Sequence, residues 1–575
     1  MKNLRHYLII SFIIAPFLGA GQILIRHVSI ADVENKKWIK PRDVLIESGI
    51  ISAIGIKLSA PAGFEVIDGT GKFLIPGFVD SHIHFSQSGG VYTRPDAIDL
   101  RRYKPYEEEI AWTHSNMENT LRRYLRVGIT SVIDVGSTLN FLQQRDSFRT
   151  KKFAPTVYMT GPLLTTWEPA AFKDLKNDEP FFEMKTVEGA KNFVRKQLPF
   201  KPDFIKIWYI VQGANTDSSA RSNLPMVQAV IEESHKVGLR VAVHATERIT
   251  AELAVLAGAD LLVHGIDDEP VTDEFVKLLK RKNVVLSPTL VVADGYTSVL
   301  GQTYQLNDHD FRYASATQLN SIIDFKHLPD TSLLKRYRVG IGRSSSRIKT
   351  TDSLLRLNLK KLFDGGVTIA TGTDAGNIGT QHASSYYHEL TAMHKSGIGM
   401  WALLQASTIN GARAVGKEKE FGSIQKGKRA DVLLLHKNPI DSLANWKAID
   451  LVINKGVKWN PDSIISPSPL ELVDQQLLGY NSHNLDFFLQ PFSDSVAMYT
   501  MPQNTPDIRG KEAARKAYQF ITTTPNLYCR ILKRIIEGNT VVDHEEVYAG
   551  GSDKPFYGIA TYVIKKGQIT RVYFY

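Results

Sequence analysis

Cysteine is almost missing from this chain: Cys529 is the one example in 575 residues. An intrachain disulfide is therefore excluded, and so is a zinc–thiolate cluster. Blocks of one charge are missing too. Lys and Arg number 69 against 59 Asp and Glu, a formal charge of +10, but the basic residues are scattered, and a group such as RRYK at 101–104 is short. With no basic stripe and no known binding motif, nucleic acid is not an expected partner. Long hydrophobic runs are lacking as well. Residues 7–20, YLIISFIIAPFLGA, fall short of the length that spans a bilayer, so no stable membrane insertion is expected. There are no internal repeats or low-complexity tracts. Ordinary apolar content, 43%, with 41 Gly and 25 Pro, describes a globular chain, long enough for about two to four domains.

Lys2 and Arg5 precede the short apolar run, and Gly19, Ala20 and Gly21 close it. That is the pattern of a secretory signal peptide, with an uncleaved anchor as the competing reading. Residues 1–21 are set aside on that basis, and a periplasmic or secreted protein is expected. Residues 22–75 read as short antiparallel strands (ILIRHVSIADV, DVLIESGIISAIG, FEVIDGTGKFLI), and similar segments return at 421–439 and 448–459. The two parts, 22–75 and 420–460, predict one small split β-sandwich built from both ends of a longer middle.

Between them, residues 76–419 alternate strand and helix. The strands are PGFVDSHIH, GITSVIDVG, PTVYMTG, PDFIKIWYI, LRVAVHA, ADLLVHG, NVVLSPTL and VTIATGTDAG, and helices such as ENTLRRYLRVG stop at glycine. Repeated β-then-α units imply an α/β fold with a parallel sheet, and eight of them predict a (β/α)8 TIM barrel. A long insertion, about residues 292–350, falls between the seventh and eighth strands and is expected at the active-site face. A Pro/Ser-rich linker, 461–469, leads to a C-terminal α+β domain, 470–575.

The chemistry sits at strand ends. Side chains alternate along a strand, so His82 and His84 in PGFVDSHIHF face one way. Two imidazoles so placed can share a metal ion, although HxH alone also describes a core histidine beside a surface one. The pattern then recurs: His244 ends VAVH, His264 ends LLVH, and Asp374 ends TIATGTD. Packing alone does not require a polar residue at each of these ends. Lys206, inside DFIKIWYI, is the remaining member. A buried lysine needs a partner or loses its charge. It either pairs with a carboxylate such as Asp374 or, as a neutral amine, combines with carbon dioxide to give an anionic carbamate.

These stretches, with ASTINGARAVG and GSIQKGKRADVLLL, resemble the metal-dependent amidohydrolase superfamily, in its prolidase-like and imidazolonepropionase-like branch, over about residues 22–460. The resemblance implies a hydrolase of carbon–nitrogen bonds. One metal is implied on His82, His84 and Asp374 and a second on His244 and His264, with carboxylated Lys206 bridging two divalent ions; the donor set suits zinc, with manganese, cobalt and iron as the alternatives. Asp374 is implied as the catalytic acid and base around a metal-activated hydroxide. Imidazolonepropionases resemble the chain but lack that lysine, so Lys206 favours the binuclear, peptidase-like side. The implied substrate is a small molecule, a dipeptide or N-acyl amino acid, and the alternative is a cyclic amide or lactone.

Residues 470–575 resemble the SnoaL-like, ketosteroid-isomerase-like cone family through LLGYNSHNLDFFLQPFSDSVAMY, IRGKEAARKAYQF, VVDHEEV and ITRVYFY. An apolar pocket and self-association into a homo-oligomer are implied. Asp494, Asp543 and His544 are candidates for lining that pocket, weighed against ordinary turn and strand positions. An isomerase or small-ligand-binding protein acting through this domain is the second functional reading.

Overall fold

The computed structural model describes residues 22–173, 175, 177–550 and 554–575. The expected signal peptide, residues 1–21, lies outside the described residues. Among those described, no helix is long and apolar enough to cross a membrane.

Strands from both ends of the middle segment pair as one continuous eight-stranded sheet. Phe73–Pro76 joins its two parts, antiparallel to Val432–Leu435 on one side and parallel to Ile23–Asp32 on the other. The expected antiparallel pattern therefore holds only in part, because Ile23–Asp32 also pairs in parallel with Glu65–Asp68. The intervening IKLSAPAGF, residues 56–64, carries the chain back across the sheet instead of closing a hairpin.

The eight expected strands all form: β1 (Phe78–Ile83), β2 (Ile129–Asp134), β3 (Thr156–Met159), β4 (Ile205–Trp208), β5 (Val241–His244), β6 (Leu261–Val263), β7 (Val285–Ser287) and β8 (Thr368–Ile369). β1, β2 and β3 make one parallel sheet, and β4 to β8 pair in sequence in another. The second sheet is extended beyond β4 by Leu163–Thr165 and Phe181–Glu183, two short strands that the sequence reading did not separate. Hydrogen bonds cross both seams. Asp203 N donates to Met159 O (2.9 Å) on one side; on the other, Ser81 N donates to Thr371 O (2.8 Å) and Asp374 N to His82 O (2.7 Å). Residues of β1 and β2 are buried throughout, as in a sheet covered on both faces.

The insertion between β7 and β8 is helical: Val291–Leu300, Asp308–Tyr313, Ala316–Phe325 and the 34-residue Thr331–Asp364. Caps set its breaks. Asn307 and Asp310 form a reciprocal capping box, and the Asp330 carboxylate accepts from Leu333 N (2.9 Å). The long helix buries few residues, Leu334 and Leu359 among them, so its apolar periodicity is faint.

The C-terminal segment forms a six-stranded sheet, with helix Pro469–Asn481 packed on it. The expected linker is not loose: Ile464 is buried and its carbonyl accepts from Arg122 Nη1 (3.2 Å). This segment rests on the insertion. Leu478 shares a core with Leu319 and Ile322, Tyr528 OH donates to Asp324 Oδ1 (2.6 Å), and the His327 ring stacks on Tyr528 at 3.7 Å. The same insertion helix supports the loop after β1, where Val91 N donates to Ser321 Oγ (3.2 Å).

Candidate active site

The C-terminal ends of β1, β4, β5, β6 and β8 converge. His82, His84 and Asp374 offer ligand atoms within 4.8 Å of one another, and all three are buried. His82 Nε2 lies 3.3 Å from His84 Nε2 and 3.1 Å from Asp374 Oδ1, and His84 Nε2 lies 3.0 Å from the same oxygen. His264 joins them, its Nδ1 4.0 Å from Asp374 Oδ2 and its ring 4.8 Å from that of His82. His244 packs edge-on against His264 at 4.4 Å. Lys206, 2% exposed, lines the same cavity of ≈410 Å³ as His84, His244, His264 and Asp374. The six residues singled out by sequence thus lie together.

Strand register explains part of this. Lys206 sits beside Ala242 and Trp208 beside His244, so Lys206 lies one layer below the histidines. Backbone strain explains another part. His264 (φ 75°) and Asp374 (φ 59°) are in the left-handed region, which non-glycine residues adopt at a cost and which clusters at functional sites. Gly372 makes room: a Cβ there would stand 2.8 Å from His82 Cβ and 2.2 Å from Ser287 Oγ.

The hydrogen bonds define what the rings present. His84 Nδ1 contacts the Gly136 carbonyl at 2.7 Å; a carbonyl only accepts, so Nδ1 carries the proton. In the neutral ring Nε2 is then a lone pair aimed at a carboxylate. Two such acceptors repel unless a cation stands between them. Asp374 Oδ1 and His82 Nδ1 are buried without a hydrogen bond. Metal–nitrogen bonds of about 2.1 Å place neighbouring ligands about 3.0–3.4 Å apart, the spacing of these three atoms. The donor set therefore fits a divalent cation.

Burial pushes His82 down to about 4 and holds His244 and His264 well below the usual imidazole range, so all three are neutral. Burial works to raise Asp374, but charge and hydrogen bonding across its contacts with His82 and His84 hold the carboxyl well below its usual range, a lowering that requires positive charge among these three groups. Burial also pulls Lys206 down to about 7, against the attraction of Asp374 and Asp134. No hydrogen bond or ion pair holds its Nζ among the described residues.

Several participants were not picked out from sequence. Thr289 Oγ1 contacts His264 Nδ1 at 2.7 Å and orients the ring. Asp80, raised to about 7 by burial, accepts from Thr373 Oγ1 (2.8 Å) and Thr373 N (3.1 Å), and so fixes the turn that carries Asp374. Asp134 does the same for the β1 end, accepting from Phe85 N (2.9 Å) and Gly136 N (3.0 Å). Asp80 is two residues from His82 and was readable in principle; Thr289 lies in a turn where no period applies. Arg94, Tyr296, Asn377, Trp208 and Asp267 also line the cavity. Arg94 is held by Asp96 (2.6 Å) and by Asn377, which also accepts from Tyr296 OH (2.7 Å). Both ring nitrogens of His382 are engaged, Nε2 with Gln87 O (2.8 Å) and Nδ1 with Tyr124 OH (2.9 Å).

In the C-terminal segment the sequence candidates do not line a pocket. The Asp494 side chain is 96% exposed, His544 is exposed, and Asp543 is fully buried against Arg534 (2.6 Å). Glu545, two residues on along the same strand face, lines the cavity instead.

The family described as amidohydrolase matches residues 73–458, and the SnoaL-like domain matches residues 473–572. The 5-methylthioadenosine/S-adenosylhomocysteine deaminase of Carboxydothermus hydrogenoformans is 21% identical over 483 residues, 81% of this chain and 96% of that protein. Among solved structures, a Xaa-Pro dipeptidase with bound methionine covers 76% of this chain and 100% of its own, at 20% identity and a TM-score of 0.57. Molinate hydrolase covers 78% and 97%, at 17% identity and a TM-score of 0.60. At these identities the structures share the fold.

Proposed function

Because this chain belongs to the amidohydrolase family, a family of hydrolases acting on carbon–nitrogen bonds, we propose that its strand-end cluster cleaves the amide bond of a dipeptide or N-acyl amino acid. The observation that carries the reading is the ≈410 Å³ cavity. It opens on Lys206, His244, His264 and Asp374 and is lined by both a cationic side chain, Arg94, and an acidic one, Asp267. A small substrate with a carboxylate and an amide nitrogen suits that lining. The seam hydrogen bonds support a closed (β/α)8 barrel beneath it.

His82, His84 and Asp374 would hold one divalent ion, His244 and His264 a second, and a carbamate on Lys206 would link them; imidazole and carboxylate donors suit zinc. Bound ions supply Lewis acidity and a water that ionises near neutrality. The chain supplies the rest. The Lys206 amine, neutral in part at pH 7, adds to carbon dioxide, forming an N–C bond and releasing one proton, and its product brings a negative charge to a cluster of imidazoles. Asp374, ionised and beside the reacting position, takes the proton of the attacking water and passes it to the leaving nitrogen. Leu163, Phe181 and Trp208 form an apolar wall that excludes water and receives a substrate side chain. Arg94, steadied by Asp96 and Asn377, binds the substrate carboxylate through its remaining donor surface. The apolar run before residue 22 supports export to the periplasm or beyond.

The test is a library of dipeptides and N-acyl amino acids, assayed on the full chain with zinc and bicarbonate. Cleavage is expected. Arg94→Met should raise KM about tenfold for free-acid substrates and leave their carboxamides unchanged, the loss of one charge-assisted contact. Cleavage of cyclic amides or lactones alone would replace this substrate class.

A further inference from the structure

The C-terminal sheet encloses a cavity of ≈340 Å³ that shares no lining residue with the site above. Strand Thr540–Ala549 forms one wall. Alternation turns Val541, Asp543, Glu545 and Val547 to the same face. Two carboxylates of this strand therefore face the domain interior, and they differ in what balances them.

Asp543 is neutralised. Arg534, its cross-strand neighbour, donates Nε to Oδ1 and Nη2 to Oδ2, both at 2.6 Å. The same guanidinium also pairs with Asp474. One cation thus already serves two carboxylates, and the group is net negative before Glu545 is counted. Glu545 has no cationic partner among the described residues. Its Oε1 accepts from Tyr562 OH (3.1 Å), and that hydroxyl accepts from Gln476 Nε2 (3.2 Å). Burial and the nearby Asp543 charge raise Glu545 to about 7. A carboxylate set unpaired in an apolar wall costs free energy, and such groups cluster where a ligand compensates them.

The other walls are aromatic. Tyr480, Phe488, Tyr518 and Tyr562 line the cavity, and Phe520 (40% exposed) and Phe556 (55% exposed) also belong to its lining. Aromatic faces attract cations, most strongly where water is excluded. Drug-sized pockets run from about 300 to 1,000 Å³, so this one takes a molecule at the small end of that range.

From this juxtaposition we propose that the C-terminal cavity is a binding site for a small apolar amine, whose ammonium pairs with Glu545 and whose hydrocarbon body packs among the rings. The assignment is independent of the hydrolase reading. A neutral alcohol of the same shape gains the packing but not the ion pair, and a carboxylate meets an already negative wall.

The experiment titrates the full-length protein with 4-phenylbutylamine, 4-phenylbutan-1-ol and 4-phenylbutyrate by calorimetry. The amine is expected to bind about tenfold more tightly than the alcohol, the scale of one partly desolvated ion pair, and the acid not at all. Glu545→Gln keeps shape and removes charge. It should bring the amine and alcohol to equal affinity, with the melting temperature of the unliganded variant confirming that it folds. Equal binding of amine and alcohol to the wild type overturns the proposal. So does an amine preference that survives in Glu545→Gln, which would place the amine elsewhere, and so does the absence of binding by all three.

Discussion

Asp374→Asn is expected to lower kcat/KM by about 10³-fold, within the range for loss of a positioned proton carrier. The asparagine keeps the shape and an oxygen at nearly the same place. It removes the negative charge facing the His84 lone pair and the ability to accept a proton. The wild-type carboxyl is held ionised, well below its usual range, so its charge is present throughout the neutral range. The loss should therefore be flat with pH from about 6 to 9, with kcat falling more than KM rises. Hydrolysis near the wild-type rate would show that the proton is carried by another group. Because Asp374 N is tied to His82 O (2.7 Å) and its carbonyl accepts from Asn377 (3.1 Å), the turn itself should survive the substitution.

Replacement of Lys206 carries the second large effect, and it separates two readings of one buried amine. If Lys206 is a cation paired to Asp374, then Lys206→Arg preserves the charge and should retain much of the activity. If it is a carbamate, arginine fails, because a guanidinium stays protonated and does not take up carbon dioxide. The second outcome is expected: Lys206→Arg and Lys206→Ala should both fall about 10²-fold or further, at least the cost of losing a group that supports a metal. A short carboxylate such as propionate, added in excess, should restore part of the Lys206→Ala activity by occupying the space where the carbamate stood, and should do nothing for Lys206→Arg, where that space is filled. The depression of Lys206 to about 7 makes the neutral amine available without another base. Wild-type activity should accordingly recover on adding bicarbonate after exhaustive degassing.

The cluster was legible because its members violate the burial pattern of their own strands. A lysine between Ile205 and Ile207, or a histidine closing Val241–His244, has no packing reason to be there. The eight strands were legible as short apolar runs punctuated by glycine. What stayed hidden is carried by loops and by contacts distant in sequence. No period marks Thr289 or Arg94, and the left-handed backbone of His264 and Asp374 is imposed by the turns around them. The insertion hid its helices because Thr331–Asp364 leaves most of its length in solvent and shows little apolar stripe. The parallel pairing of Ile23–Asp32 with Glu65–Asp68 depends on a loop path that composition does not encode. In the C-terminal domain Asp543 is buried and faces the interior. Which carboxylate remained available was decided by Arg534 on the neighbouring strand, and so Glu545 was overlooked.

We expect the strand ends to build one two-metal hydrolytic centre. Metal analysis of the full chain purified without chelator, wild type beside His264→Ala, tests it most directly, with hydrolysis of the best library substrate measured on the same samples. About two divalent ions per wild-type chain are expected, about one in His264→Ala, and hydrolysis lost together with the missing ion. A wild type active with no more than one ion, or a His264→Ala variant that keeps both ions and full hydrolysis, would contradict it.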